Sequence, residues 1–356
     1  MLDKTLKISI IIATYNRVDS LGSLLDHLSH QYKNFQYSEV FEIILVNNNS
    51  NDNTKGLVAS FSDRLPIKYI EERTQGLCRA QNTGILESNG NLICFIDDDV
   101  IPGKSWLEEV YRIAYYSDLT KPQGFCGKIK AKVDSEIPEW LSFSDPFSIT
   151  PSVFPFHDYG DEELRYPFIY KGCEVHNPIG ANFIFTKKVF EDFDLFREDL
   201  GAGSQEGFGK HGDTEFTRYL LNNSVEIFYK PSLTVTHPVD KERVSKEYIR
   251  AWYKKSGFSL YWLYKKQRKN FNLKNPELFL FIGLPSKVRC FMPSFICNLS
   301  FFNVPMYILL KIIMLYLAYF FSFLLFKPKL NFWLSAHLNK AFGEAIAARK
   351  LAAIAR

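Results

Sequence analysis

Three carboxylates stand in a row at Asp97, Asp98 and Asp99, directly behind the apolar run Leu92–Ile96. Adjacent carboxylates repel, so a chain that keeps three together is expected to place positive charge there. Hard oxygen donors of this kind suit Mg2+ or Mn2+, which binds through one or two carboxylates and shares itself with a phosphate-bearing ligand. On an extended chain Asp97 and Asp99 project to one side and Asp98 to the other. Asp97 and Asp99 are therefore the expected metal pair, and a solvated acidic turn is the competing reading of the triplet alone. Polar groups close two other apolar runs: Thr14-Tyr15-Asn16-Arg17 follows Ile8–Ala13, and Asn47-Asn48-Asn49-Ser50 follows Phe41–Val46. Arg79 and Asn82 lie three apart and share a helix face. Asp213 opens a helical segment, and His237 precedes a proline.

The elements that must position these groups alternate in type. Apolar runs at 8–13, 41–46, 67–70 and 92–96 read as strands. Leu21, Leu24, Leu25 and Leu28 recur at helical spacing between the first two. Asn49 or Ser50 is expected to cap a helix through Leu57 and Phe61, and a further helix is expected around 79–86. Near-continuous apolar strands alternating with helices predict an α/β fold with a buried, mostly parallel sheet. Such sheets bind ligands at the carboxyl ends of their strands, where the three polar clusters fall. From 124 to 165 repeated prolines predict irregular structure. Regular signals return as a strand at 180–185, a helix at 213–221 and a strand at 225–229.

Six segments, in order, resemble the family 2 glycosyltransferases, inverting enzymes with the A-type nucleotide-sugar fold. They are ISIIIATYNR at 8–17, EIILVNNNSNDNT at 42–54, GLCRAQNTGI at 76–85, FIDDDV at 95–100, GANFIFTKKVF at 180–190 and HGDTEF at 211–216. The resemblance implies a catalytic domain over 1–240, with a nucleotide-binding half at about 1–122 and an acceptor half at 123–240. It implies donor contacts from Thr14, Tyr15, Arg17, Asn48, Arg79, Asn82, Asp97 and Asp98, with base and ribose held by the first three. Many members have Asp where this chain has Asn48. Mn2+ or Mg2+ would rest on Asp97 and Asp99, with His237 completing the site. Asp213 would be the general base, although the acid that usually precedes it is here Gly212. Arg79 as a surface ion pair, Asp213 as a helix cap and His237 as a turn residue are the bland alternatives. The implied reaction moves a sugar from a nucleoside-diphosphate donor, a UDP-sugar first, to a glycan or lipid-linked acceptor in surface polysaccharide synthesis.

Composition narrows the class further. A net charge of +4 does not suggest a nucleic acid partner, and six cysteines without CxxC pairing suit neither zinc nor a disulfide framework. The loop Gly201–Gly209 lacks the GK[ST] ending of a phosphate-binding Walker loop and reads as a flap beside the acceptor. Residues 241–269 hold ten Lys or Arg against two Glu, interleaved with aromatics, and 304–326 carry the single charge of Lys311. As a helix the latter would reach about 34 Å, enough for a hydrocarbon core of about 30 Å. The tail, 241–356, is thus expected to be helical and membrane-associated. With no secretory signal visible, the enzyme is expected on the cytoplasmic face of a membrane. A nucleotidyltransferase would want a Gly-rich basic loop after the first strand, which ATYNR lacks. A catalytically silent sugar-nucleotide binder or membrane scaffold stays open because of Gly212.

Overall fold

The computed structural model describes residues 6–133, 136–137, 154–170, 173–175, 178–204, 209–245, 247–248, 251–252 and 259. The 304–326 segment, most of the basic tail and the middle of the Gly201–Gly209 loop lie outside them. Among the described residues no helix is long and apolar enough to cross a membrane.

The first part alternates as expected. Strands β1 (Ile8–Thr14), β2 (Phe41–Asn47), β3 (Ile67–Glu71) and β4 (Leu92–Ile96) are separated by α1 (Val18–Asn34), α2 (Thr54–Ala59) and α3 (Leu77–Leu86). The four strands pair in parallel in the order β3-β2-β1-β4. Ile8, Ile10 and Ile12 are buried together with Leu21, Leu24, Leu25 and Leu28 of α1. Each such side chain contributes about 1.5–3 kcal/mol of burial before conformational entropy is counted. Both faces of β1 are covered, which is why its sequence is apolar at nearly every position rather than alternating.

Beyond β4 the sheet changes character. After β5 (Ile101–Pro102) and α4 (Trp106–Tyr116) come β6 (Gln123–Val133), β7 (Leu164–Arg165), β8 (Phe168–Tyr170) and β9 (Cys173–Val175). Then follow β10 (Asn182–Thr186), α5 (Lys187–Asp192), α6 (Gly212–Asn222) and β11 (Glu226–Val239). The order continues β4-β10-β6-β11-β5, with β7 beside β11; β8 and β9 form a separate pair. β10 runs antiparallel to both β4 and β6, whereas β6 and β11 are parallel. The sheet is therefore mixed, not mostly parallel.

Three sequence expectations fail here. The span 124–165 is not irregular at its start, because β6 runs eleven residues. Its glycines are close-approach sites: a Cβ on Gly124 would stand 2.7 Å from the Phe185 ring. β11 extends to Val239 through a register shift between Lys230 and Thr234, so His237 lies inside a strand instead of following one. The α2 cap is not Asn49 or Ser50; Asp52 Oδ1 accepts hydrogen bonds from Thr54 N at 3.2 Å and Thr54 Oγ1. Asn182, fully buried, joins the mixed wing: Oδ1 accepts from Trp106 Nε1 at 3.0 Å and Nδ2 donates to Leu233 O at 2.8 Å.

Candidate active site

The loops after β1 and β2 are stitched together before any ligand is considered. Asn16 N donates to Ser50 Oγ at 3.0 Å, and Asn51 N donates to Asn16 Oδ1 at 2.7 Å. Asp52 adds its second oxygen to the start of α1, accepting from Val18 N at 3.0 Å. One aspartate thus serves two helix starts, where orphan amides and the dipole favour a carboxylate. The stitch fixes Arg17, the residue flanking α1.

Arg17 reaches the aspartates. Its Nη1 lies 2.9 Å from Asp98 Oδ1 and 2.5 Å from Asp99 Oδ2. The chain turns at Asp98–Asp99, so the alternation expected of an extended strand does not hold: Asp98 is buried and shares the guanidinium with Asp99. His237 Nε2 approaches the other oxygen of Asp99 at 3.3 Å, and its Nδ1–H donates to Pro238 O at 2.7 Å. Among the described residues no hydrogen bond or ion pair reaches the Asp97 carboxylate.

The electrostatics follow from that arrangement. Burial, then the charges of Asp99 and Asp98, push the Asp97 carboxyl up to about 7. Burial would also raise Asp99, but His237 and the positive charges of Arg17 and Arg243 outweigh it and hold that carboxyl at about 2. Burial lowers the basicity of His237, and the carboxylates of Asp99 and Asp97 more than restore it, raising its pKa. Arg17 and His237 both engage Asp99, and Arg17 also engages Asp98, so the acid without a direct partner is Asp97.

The donor types gathered here are those that suit a divalent cation. Asp99 Oδ1 is buried without an aligned hydrogen bond, Asp97 is unengaged, and His237 gives its Nδ1 proton to a carbonyl. The last is the outer-sphere bond that orients an imidazole for metal through Nε2. As they stand, the described side chains include no group of three or more His, Cys, Asp or Glu arranged to hold a metal.

Asp213 comes to the same edge through the β4–β10 ladder. Asp97 N donates to Ala181 O at 3.3 Å, and the neighbouring Gly180 N donates to Asp213 Oδ2 at 3.0 Å. Asp213 Oδ1 accepts from Thr214 N at 2.8 Å. Asp213 is not the cap of α6; His211, in the left-handed region at φ 67°, holds that position. Ala181 and Gly180, on one short stretch, hold the backbone of Asp97 and the carboxylate of Asp213, a role visible beforehand only as the GAN motif.

The remaining predicted donor residues separate into two groups. Thr14 is buried at the end of β1, and Tyr15 beside it is exposed at the strand ends. Asn48 is turned inward: Oδ1 accepts from Gly76 N at 2.7 Å, and Nδ2 donates to Thr74 O at 2.9 Å. Its amide holds the loop before α3, a structural role that the expected base contact did not anticipate. Asn82 is likewise buried, with Nδ2 donating to Phe196 O at 2.9 Å and Oδ1 accepting from Phe196 N at 3.0 Å. Arg79 pairs with Glu198 at 2.5 Å, both about a third exposed, which is the surface ion pair rather than a free diphosphate ligand.

An α/β domain with acids gathered at the strand ends of a mixed sheet has the form of a nucleotide-sugar transferase. Residues 9–193, just over half of the chain, match the model of glycosyl transferase family 2, and the chain belongs to that family. It is 31% identical over 261 residues to the glycosyltransferase GlyA of Streptococcus pneumoniae serotype 4, covering 69% of this chain and 32% of that protein. It is 37% identical over 105 residues to the glycosyltransferase AglE of Haloferax volcanii, covering 28% of this chain and 33% of that one. The matches thus span about a third of the length of these relatives. The mannosyltransferase PcManGT from Pyrobaculum calidifontis, solved with GDP-Man and Mn2+, superposes with a TM-score of 0.50 at 16% identity, covering 92% of this chain and 82% of that one. That likeness is one of fold, and it is consistent with the A-type sheet.

Proposed function

We propose that this glycosyltransferase transfers a sugar, with inversion, from a nucleoside-diphosphate donor to a glycan or lipid-linked acceptor. The observation that carries this reading is the meeting of Asp97 and Asp213 across Ala181 and Gly180 at the edge where the parallel strands end. In this reading Asp97 serves the side of the leaving diphosphate, and Asp213 serves the attacking hydroxyl. A UDP-sugar is the first donor to try. The complex of PcManGT with GDP-Man and Mn2+ supports testing GDP-sugars beside it.

In this mechanism the acceptor hydroxyl attacks the anomeric carbon opposite the departing nucleoside diphosphate. Asp213 takes the hydroxyl proton on a carboxylate oxygen. The Gly180 and Thr214 amides fix its plane, and each oxygen keeps a further acceptor direction. Arg17 keeps Asp98 and Asp99 in place. A Mn2+ or Mg2+ ion held by Asp97, Asp99 and His237 would supply the positive charge that a departing diphosphate needs. Thr14 and Tyr15 offer a hydroxyl and an aromatic face to the nucleotide. The basic aromatic stretch 241–269 and the apolar stretch 304–326 support a location at the cytoplasmic face of a membrane.

Nucleoside diphosphate release from a panel of UDP-, GDP- and dTDP-sugars with Mn2+ tests the reading. Asp213→Asn, which keeps the size of the side chain, is expected to lower kcat by about a hundredfold or more with donor KM little changed. A wild-type kcat in Asp213→Asn would overturn the base assignment, and no release from any donor would favour a silent binder.

A further inference from the structure

Asp213 is held from two sides, and the second side belongs to the donor half. In front, Gly180 gives its amide to Oδ2, and a Cβ on Gly180 would stand 2.9 Å from Asp213 Cβ. Behind, the helix start at Gly212 rests on the sulfur of Cys78, the second residue of α3. A Cβ on Gly212 would overlap that sulfur, and the same added atom would lie 3.5 Å from Gly201 N. A Cβ on Gly201, whose φ is +85°, would stand 2.8 Å from Cys78 Sγ. The sulfur is therefore enclosed where three segments meet: the start of α3, the turn at Gly201 and the start of α6.

The start of α3 is itself fixed to the nucleotide-side loops. Asn48 holds Gly76 and Thr74, and Leu77 N donates to Ala202 O at 2.8 Å. Asn82, one turn on, is bonded at both ends of its amide to Phe196. A rigid path thus runs from the end of β2 through α3 to the residue next to Asp213. Gly212 is in helical backbone, so the sulfur alone limits what can stand there.

We propose that Cys78 is a positioning residue: its buried sulfur, keyed between Gly201 and Gly212, sets the distance of Asp213 from the donor half. This rests on the reading of Asp213 as the base. A displacement of a reacting group by about 1 Å can cost about a hundredfold in rate, so the volume at this point controls kcat rather than donor affinity.

The test is a double-mutant cycle with Cys78→Ala and Gly212→Ala, read as nucleoside diphosphate release from the best donor of the panel with Mn2+. Gly212→Ala alone is expected to lower kcat about thirtyfold or more by pushing Asp213, with donor KM within about twofold. Cys78→Ala alone loosens the fit and is expected to lower kcat about tenfold. The pair moves one heavy atom from residue 78 to residue 212, and its kcat should return to within about threefold of wild type. Multiplicative losses in the pair would overturn the proposal, and so would a Tm that recovers while kcat does not. Should Gly212→Ala fail to fold, Cys78→Ser against Cys78→Ala decides. The nearly isosteric serine is expected within about threefold of wild type and alanine well below it, and equal kcat in all three proteins contradicts the proposal. Asp213→Asn, assayed in parallel, separates the two readings: an inactive Asp213→Asn with a failed cycle removes only the role of Cys78.

Discussion

The two wings of the sheet solve opposite problems. In the parallel wing, β3-β2-β1-β4, the central strands are apolar almost throughout, and apart from Ser9, which is bonded to Glu42 and Gly90, the polar chemistry lies past their ends. In the mixed wing, β10-β6-β11-β5, polar groups enter the interior. Asn182 bridges α4 to the irregular part of β11, Lys128 is buried against Asp158 at 3.2 Å and Asp161 at 2.6 Å, and His157 is fully buried against Tyr166. Hydrophobic burial is tolerant of detail, whereas buried hydrogen bonds are not, because a single lost partner leaves a desolvated group unpaired. The first wing therefore acts as a platform and the second as a precision mount for Asp213.

The largest effect that separates the wings on stability should come from Asn182. Asn182→Leu strands Trp106 Nε1–H and Leu233 O without partners, and a loss of about 2–5 kcal/mol is expected by denaturant unfolding. Ile10→Val in the parallel wing should lose only about 0.5–1.5 kcal/mol. Equal losses at the two sites would erase the contrast.

A smaller effect concerns acid. Burial holds the imidazole of His157 down to about 3, against about 6.5 in the unfolded chain. The folded state keeps it neutral while the unfolded state takes up a proton. The stability it provides is therefore present above pH 6.5 and is lost as pH falls toward 3. At pH 5 this one group should already have removed about 2 kcal/mol. His157→Phe is expected to flatten the fall in Tm between pH 7 and 5, each protein being compared with its own Tm at pH 7. An unchanged slope would mean that the ring is hydrated and titrates normally.

The wings also differ in how far they could be read beforehand. Apolar runs marked β1, β2 and β4, because burial on both faces leaves its trace in nearly every residue, whereas the edge strand β3 is only partly buried. β6 was hidden because the prolines from Pro138 onward set the reading of the whole span 124–165, and Gly124 and Gly127 lie within the strand. They are required because Phe185, Asn182 and the Leu233 carbonyl approach the backbone too closely for a side chain. Within the site, Asp213 and the aspartate triplet were visible through the resemblance. The partners were not: Arg17 meets Asp98 from 81 residues away and Asn48 meets Gly76 from 28. The resemblance implied donor contacts from Asn48 and Asn82, and tertiary contacts give both amides to the backbone. Long-range pairing of this kind leaves no local pattern.

The central claim is that the aspartate cluster holds a cation and a diphosphate together, with Asp97 as its uncompensated acid. Calorimetric titration of UDP and of GDP into the protein, with and without Mn2+, tests it most directly. Wild type and Asp213→Asn should both bind a nucleoside diphosphate at least about tenfold more tightly with Mn2+, a gain of about 1.4 kcal/mol, and Asp97→Asn should lose that gain. Mn2+-enhanced binding that survives intact in Asp97→Asn, or wild-type binding indifferent to Mn2+, would contradict the account.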